Sequence, residues 1–390
     1  MPDGNDILGA PGSYSAGTAK RNGGAIAGSV RTSDAKLYHC LSSVRHSCGG
    51  VFYSMQISAL GEFKLIERLQ RSLPSARDGV VVGIGDDTAV LAQHGGRYLL
   101  ATCDAQVEGR HFLRDKATPY QIGWKALAVN LSDIAAMGGT PTYALVSLGL
   151  PNDLEVAFVD ELYRGLNEIA QQFGVSIVGG NMSSASVIFV DVALLGEVEP
   201  AHVRLRSTAQ VDDVVLVTGD LGAAAAGVWL LTSDHPVTVS PPAREAVLRA
   251  ALTPRPRVRE GQVLAQSGLV HAMIDISDGL AADVGHVCDA SHVSVRLFAE
   301  PLPIASTTVE VATAVGHEPL DPALHGGEDY ELLLTAPREH AQALSDLVQA
   351  QTGTALTIIG DILPPRDART FIRGNGRMIP LHARGWNHFR

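Results

Sequence analysis

The stretch Gly83-Ile84-Gly85-Asp86-Asp87 combines two glycines with two adjacent carboxylates directly after a strand-like run of three valines at 80–82. Glycine tolerates positive φ and lets other groups approach the main chain, so the chain is expected to turn sharply here. Adjacent carboxylates repel one another unless a cation lies between them, and Mg²⁺ prefers oxygen ligands. Taken alone, the motif is equally typical of an exposed turn. Its meaning therefore depends on whether similar acids occur elsewhere.

Further acids stand beside glycines or at the ends of predicted elements. The set comprises Asp86, Asp87, Asp104, Asp133, Asp275, Asp278, Glu328 and Asp329. Each one by itself is more typical of a turn or a helix cap. If they converge, so many like charges require several divalent metal ions. Because the phosphate-binding patterns GxxxxGK[ST] and GxGxxG are absent from the sequence, a nucleotide would be held chiefly through metals.

Hydrophobic patterning places these acids on predicted strands. We predict strands at 80–84 and 98–102, the second of which delivers Asp104 at its end. A strand at 175–178 is expected to end in Gly179-Gly180-Asn181, which repeats the order of strand, glycines and polar residue.

A helix is predicted between these strands, because Thr118 is a good cap and Pro119 suits the first helical position. It is expected to run to the glycines at 138–139. Asn130 and Asp133 share one face of this helix, since they are three residues apart.

The second half of the chain shows a similar alternation. We predict a strand at 214–218, a helix at 241–252 and a strand that ends at Asp275 and passes into a helix near Asp278. The run at 326–331 leads into a further apolar strand. The sequence therefore predicts two α/β domains, at 55–205 and 206–390, preceded by a Gly- and Ser-rich stretch at 1–54 that we expect to be a disordered leader or a mis-assigned start.

Composition excludes several classes of protein. The chain has 390 residues, 46% hydrophobic and 18% charged, which is typical of a globular protein with a substantial core. A net charge of −11 argues against a nucleic-acid partner. No apolar run is long enough for a membrane span, and the four cysteines lack the paired spacing of a zinc site. We therefore expect a cytoplasmic protein.

The chain resembles the thiamine-monophosphate kinase family, within the superfamily of aminoimidazole ribonucleotide synthetase. The strings that carry the resemblance occur in family order. They are GEF (61–63), GIGDD (83–87), DAQVEGRHF (104–112), KALAVNLSDIAAMG (125–138), DISDGL (275–280), GGEDYEL (326–332) and GWNHF (385–389).

The resemblance implies an N-terminal domain whose strands form a barrel across a homodimer, a C-terminal α/β domain and an active site between them. It implies that ATP and thiamine phosphate are the substrates, that thiamine diphosphate and ADP are the products, and that several Mg²⁺ ions take part. No general acid or base is needed, because the accepting phosphate oxygen is already ionised near neutral pH.

The resemblance also implies roles for individual residues. Residues expected at the metal ions are Asp87, Thr102, Cys103, Asp104, Asp133, Asn181, Asp275 and Asp278. Those expected at ATP are Gly180, Asn181, Arg206 and Ser277. His111, Glu328 and Trp386 are expected to contact thiamine phosphate, where a Trp face could stack on the cationic thiazolium.

Two positions depart from the family pattern. Asn181 stands where the family usually has an Asp, and Cys103 replaces a Thr beside Asp104; sulfur is a poor Mg²⁺ ligand. Two alternatives follow. The chain could act on an amide or carbamoyl acceptor, like other ATP-using enzymes of the superfamily, or it could be a catalytically silent nucleotide-binding dimer.

Overall fold

The computed structural model describes residues 57–74 and 76–382. The predicted leader at 1–54 and Trp386 lie outside the described residues. The described residues belong to one compact unit, Gln56–Arg390. None of the helices within these two ranges is long and apolar enough to cross a membrane.

The first half of the described chain forms a six-stranded sheet with four helices. Its strand order is β1-β2-β3-β6-β4-β5, and all neighbours are antiparallel except β4 and β5. The elements are α1 (Ile57–Leu60), α2 (Glu62–Ser72), β1 (Val80–Val82), β2 (Ala89–Ala92), β3 (Tyr98–Val107), α3 (Pro119–Ala136), β4 (Thr140–Leu150), α4 (Val156–Phe173), β5 (Ser176–Ser184) and β6 (Phe189–Val198).

Helix α3 begins and ends close to the predicted positions. The Thr118 hydroxyl accepts a hydrogen bond from the backbone N–H of Gln121, whose side chain accepts from the N–H of Thr118 in return. Helix α4 packs very closely against α3. A Cβ atom at Gly123 of α3 would lie 2.0 Å from the carbonyl oxygen of Leu162, and one at Gly165 of α4 would lie 2.0 Å from that of Tyr120. Glycine is therefore required at both contacts.

Two predicted strand ends were wrong. Strand β3 does not stop at 102 but pairs with β6 as far as Val107, so Asp104 lies inside the strand. Strand β5 continues through the glycines to Ser184. A Cβ atom at Gly180 would lie 1.7 Å from the carbonyl oxygen of Val146 on β4. The glycines therefore permit close strand pairing here and do not end the strand.

The second half forms a seven-stranded sheet with seven helices in the described chain. Its strand order is β13-β12-β9-β11-β7-β10-β8, and only β12 and β9 are parallel. The elements are β7 (Asp213–Thr218), α5 (Ala223–Thr232), α6 (Pro241–Leu252), α7 (Val258–Gln266), β8 (Ala272–Asp275), α8 (Leu280–Ser291), β9 (Ser294–Phe298), α9 (Ser306–Ala314), α10 (Leu320–His325), β10 (Leu332–Pro337), α11 (Ala341–Thr352), β11 (Leu356–Leu363), β12 (Thr370–Ile372) and β13 (Met378–Pro380).

Helix α3 lies in a core shared by the two sheets. One hydrophobic cluster contains Leu127 and Leu131 of α3 together with Leu216 of β7 and Leu334 of β10. The predicted mixture of helices and strands in both halves is confirmed, although the pairing in both sheets is mainly antiparallel. Because α3 contacts both sheets, polar residues on this helix can meet side chains from either half.

The six-stranded sheet is open in the single chain, with β1 and β5 at its edges. One face packs against helices and is buried. The opposite face, which we call the outer face, carries Ala101, Cys103, Tyr143, Leu145, Ala193 and Leu195 at adjacent positions of β3, β4 and β6. Tyr143 is 53% exposed and Leu145 is 46% exposed, so this face presents apolar surface to solvent.

Candidate active site

Three carboxylates converge where α3 meets both sheets. Asp87 follows β1, Asp133 lies on α3, and Asp275 is the last residue of β8. One oxygen atom from each of these side chains lies within 4.8 Å of the other two. The predicted convergence of acids distant in sequence is thus present for these three residues, which we call the acid cluster.

Hydroxyl groups hold two members of the acid cluster in place. Thr102 of β3 donates a hydrogen bond to Asp133 Oδ2 at 2.6 Å, and Ser132 of α3 donates to Asp275 Oδ2 at 2.6 Å. Thr102 was predicted as an oxygen ligand, whereas Ser132 was missed. Ser132 stands next to Asp133 in the KALAVNLSD string, but only the packing of α3 on β8 reveals its partner.

Burial makes the ionised forms of the acid cluster costly. It is the main reason why the pKa values of Asp87 and Asp133 lie well above their usual range, and neighbouring carboxylates raise both further. Burial likewise raises the pKa of Asp275 to about 6, although the hydrogen bond from Ser132 opposes the rise. Without a cation nearby, holding all three side chains in their charged form is therefore unfavourable.

Arg206 is the cation that neutralises part of this charge. Its Nη2 donates a hydrogen bond to Asp87 Oδ1, and its Nε lies 3.4 Å from Asp86 Oδ1. Its backbone N–H also donates to Asp86 Oδ2 at 3.2 Å. The other oxygen of Asp87, Oδ2, is buried and has no hydrogen-bond partner within the described ranges. An acceptor atom left in this state is suited to a cation.

Asp104 lies near the acid cluster, on the helix-covered face of β3. Its charge raises the pKa values of both Asp133 and Asp275. Its backbone N–H donates to Asn130 Oδ1 at 3.0 Å, which ties β3 to α3. The predicted pair on α3, Asn130 and Asp133, therefore faces the site. Asn130 binds the backbone of β3, whereas Asp133 belongs to the acid cluster.

Asp278, in the loop between β8 and α8, belongs to a second group of possible metal ligands. Ligand atoms of Asp278, Asp283 and His286 lie within 4.8 Å of one another. The backbone N–H groups of Asp278 and Gly279 donate to Asp283 Oδ2 at 3.2 and 3.0 Å. Asp283 was missed, because an acid in the first turn of a helix has no distinctive signal. Its position fixes the loop that presents Ser277 and Asp278.

The GGEDYEL motif at 326–332 directs its acids to different places. Glu328 accepts a hydrogen bond from Lys125 Nζ at 2.8 Å. Asp329 accepts from the backbone N–H of Gly222 at the start of α5, and Glu331 forms an ion pair with Arg257. Asp329 was grouped with the converging acids, but the structure assigns it to a helix terminus instead.

A cavity of about 280 Å³ lies beside Lys125. Its wall is formed mostly by apolar side chains of α3, α5, α6 and the segment before α3. Lining residues include His111, Phe112, Ile122, Val228, Leu231 and Leu252. His111 Nδ1 accepts a hydrogen bond from the backbone N–H of Val107 at 2.9 Å, which orients the ring. The cavity is of the kind that binds a small organic molecule.

Asn181 and the Cys103 thiol are not part of the acid cluster. Asn181 pairs with Ser147 of β4, which pairs with Asp191 of β6, which in turn pairs with Ala105 of β3. Asn181 on β5 is therefore three strand spacings, about 14 Å, from Ala105 on β3. Because side chains alternate along a strand, Cys103 and Asn181 belong to the outer face, whereas Thr102 and Asp104 point toward α3.

Comparisons with known proteins identify the family to which both halves of the chain belong. Residues 85–198 match the N-terminal domain of AIR synthase related proteins, and residues 210–372 match the C-terminal domain of the same family. The chain is 35% identical over 338 residues to the thiamine-monophosphate kinase of Aquifex aeolicus, covering 86% of this chain and 100% of the relative. It is 34% identical over 312 residues to the thiamine-monophosphate kinase of Bacillus subtilis, covering 80% of this chain and 94% of the relative.

A solved structure described as AaThiL complexed with AMPPCP and TMP has a similar fold. The TM-score is 0.74 with 34% sequence identity, and the match covers 86% of this chain and 99% of that one.

Proposed function

Because the chain belongs to the thiamine-monophosphate kinase family of AIR synthase related proteins, we propose that it transfers the γ-phosphoryl group of ATP to thiamine phosphate, giving thiamine diphosphate and ADP. The observation that carries this proposal is the acid cluster at the junction of the two sheets, with an organic-sized cavity on the same helix. The reaction joins two anionic substrates, so it requires positioning and charge neutralisation.

The residues present fit several Mg²⁺ ions. The buried, unpartnered Oδ2 of Asp87 and the raised pKa values of the acid cluster both favour a cation there. The ligands in this proposal are Asp87, Thr102, Asp104, Asp133, Asp275 and Asp278. When bound, Mg²⁺ would neutralise charge on the phosphate groups. Ser132 and Thr102 hold the carboxylates in orientation, which limits rearrangement as the substrates bind.

Arg206 and Ser277 are proposed to contact the nucleotide. Arg206 already lies beside Asp86 and Asp87, and a guanidinium suits phosphate oxygens equally well. It is therefore placed to bind a phosphate group at the edge of the acid cluster. We assign no general acid or base, because the acceptor phosphate of thiamine phosphate is ionised near neutral pH.

The cavity is proposed to hold the organic part of thiamine phosphate. His111 contributes to its wall, and Glu328 reaches the same region through Lys125. Its apolar lining suits the pyrimidine and thiazolium rings. Trp386, which lies outside the described residues, is proposed to cover the thiazolium from the C-terminal segment.

A homodimer is proposed because the outer face of the six-stranded sheet is apolar and accessible. A second copy of this chain would bury Tyr143 and Leu145, and two open sheets facing one another could form the dimer-spanning barrel. Asn181 belongs to this face. The proposed roles of Asn181 at ATP, and of Asn181 and Cys103 at metal, therefore depend on the interface between copies. Gly180 precedes Asn181 on β5 and is proposed to contact ATP together with it.

The proposed domain boundary stays at 205 and 206, between β6 and β7. A cytoplasmic location is also proposed, since ATP is available there and reduced cysteines such as Cys103 and Cys288 are compatible with it.

The test is a single-turnover assay of the full chain with Mg-ATP and thiamine phosphate, in which thiamine diphosphate and ADP are followed together. Formation of both products in equal amounts is expected. ADP without thiamine diphosphate, or ATP binding without either product, would contradict the proposed reaction and direct attention to another acceptor.

A further inference from the structure

Lys125 is a buried lysine whose side chain joins the two halves of the chain. It lies on α3 among apolar residues, and only 6% of its side chain is exposed. Its Nζ lies 2.8 Å from Glu328 Oε1, across a sequence separation of 203 residues. Burying a lysine is unfavourable unless it is paired, so this ion pair is a specific feature of the fold.

Glu328 is held from its backbone as well. Its φ of +60° is uncommon for a residue with a side chain. Its N–H donates to the carbonyl oxygen of Ser277 at 2.7 Å, and a Cβ atom at Gly327 would lie 2.5 Å from that same oxygen. The Glu328 loop is therefore packed against the loop that carries Ser277 and Asp278. Strained backbone of this kind is common at functional sites.

The location of Lys125 on α3 separates it from the acid cluster. Asp133 is eight residues further along the helix, which corresponds to about 12 Å at 1.5 Å per residue. Lys125 also lines the cavity proposed for the organic part of thiamine phosphate. The ion pair therefore lies beside the cavity proposed for the organic part of thiamine phosphate, about two helical turns from Asp133 along α3.

We propose that Lys125 is a positioning residue that fixes the carboxylate of Glu328 for recognition of thiamine phosphate. This inference rests on the proposed function. Lys125 binds one carboxylate oxygen and limits the rotamers of Glu328, whose side chain is 28% exposed. A carboxylate held in this way can meet a cationic or hydrogen-bond-donating group of the thiamine moiety. Without Lys125, Glu328 would retain its charge but lose its orientation.

The test compares Lys125→Met, Lys125→Arg, Glu328→Gln and the double variant Lys125→Met/Glu328→Gln in the full chain. The KM values for thiamine phosphate and ATP are measured together with kcat. Lys125→Met is expected to raise the KM for thiamine phosphate about tenfold, the effect of losing one charge-assisted hydrogen bond, and to change the KM for ATP less than about twofold. Lys125→Arg should restore most of the lost affinity, because its guanidinium can bind the same carboxylate.

The double variant separates positioning from direct contact. If Lys125 acts through Glu328, the KM of the double variant for thiamine phosphate should be no higher than that of the single variant with the higher KM. Multiplied effects would show that Lys125 contacts the substrate independently, and would overturn the positioning role. Calorimetric titration with unphosphorylated thiamine provides a second readout. Lys125→Met should weaken this binding also, whereas a lysine that acted on the phosphate group would leave it unchanged.

Controls separate this role from structural damage and from failure of the proposed function. Lys64→Met makes the same substitution at an exposed position of α2 and should change neither KM value. A reduced Tm of Lys125→Met with both KM values raised equally and no rescue by Lys125→Arg would overturn the inference. If wild-type protein forms no thiamine diphosphate, the proposed function fails and this inference with it. Normal turnover with an unchanged KM in Lys125→Met would overturn the Lys125 role alone.

Discussion

The acid cluster predicts that removing a buried negative charge stabilises the metal-free protein. Asp275→Asn keeps the shape of the side chain and allows its amide oxygen to accept from Ser132. Its new NH₂ group can donate to a neighbouring carboxylate, such as Asp87, whose Oδ2 has no partner within the described ranges. The substitution therefore removes charge with little change in packing.

The size of the stabilisation expected for Asp275→Asn follows from the pKa of Asp275. Burial raises this pKa from 3.8 to about 6, so the folded protein holds the proton more tightly than the unfolded chain. Stability consequently falls as the pH rises from the unfolded to the folded pKa, and the full penalty remains above it. At about 1.4 kcal/mol for each pKa unit, the penalty at pH 8 is roughly 3 kcal/mol.

The assay is thermal unfolding in EDTA at pH 8 and near pH 4. With an unfolding entropy of about 2.1 cal/mol/K per residue, Asp275→Asn should raise Tm by roughly 4 °C at pH 8 for a chain of this length. The difference in Tm between Asp275→Asn and wild type should shrink toward pH 4, where Asp275 is protonated in the folded protein. Asp153→Asn, at an exposed turn position, serves as the control and should leave Tm unchanged at both pH values.

Mg²⁺ provides the second half of the test. Mg²⁺ should raise the Tm of wild-type protein at pH 8 by binding the folded state, and this rise should be largely absent in Asp275→Asn. A lower metal-free Tm in Asp275→Asn, together with an unchanged response to Mg²⁺, would refute the reasoning that these carboxylates form a cation site.

Three other substitutions test separate parts of the site. Arg206→Met should lower the metal-free Tm, because Asp87 loses its neutralising partner, and should raise the KM for ATP; thermal unfolding and steady-state kinetics check this, and an unchanged KM for ATP would count against a nucleotide contact. Leu145→Asp places a charge on the outer face and should convert a dimer to a monomer in light scattering; a dimer that persists would place the interface elsewhere. Trp386→Ala should raise the KM for thiamine phosphate much more than that for ATP, because stacking affects one substrate only; equal effects on both would indicate structural damage.

Local sequence signals were sufficient for helix α3. Its N-terminus is set by Thr118 and Pro119, and the capping hydrogen bonds join residues only three positions apart. Such interactions depend on neighbouring residues, so they can be read directly from the sequence. The acids Asp87, Asp133 and Asp275 were also identified from sequence, and the structure brings their oxygen atoms together.

The same signals misplaced the ends of β3 and β5. Glycines at 179 and 180 resemble a turn, but β4 approaches Gly180 so closely that only glycine fits. Asp104 has the polarity of a strand end, but ten consecutive pairs join β3 to β6 on both sides of it. Strand length is decided by the neighbouring strand, whose position the local sequence does not specify.

Sequence by itself therefore determined the identity of the family, the start of α3 and the carboxylates available for a cation site. Only the tertiary structure decided which side chains meet. The contact between Arg206 and Asp87 spans 119 residues, and that between Lys125 and Glu328 spans 203. Both depend on how two sheets pack around one helix. Packing of this kind arises from many distant contacts acting together, and no local pattern of residues records which of those contacts form.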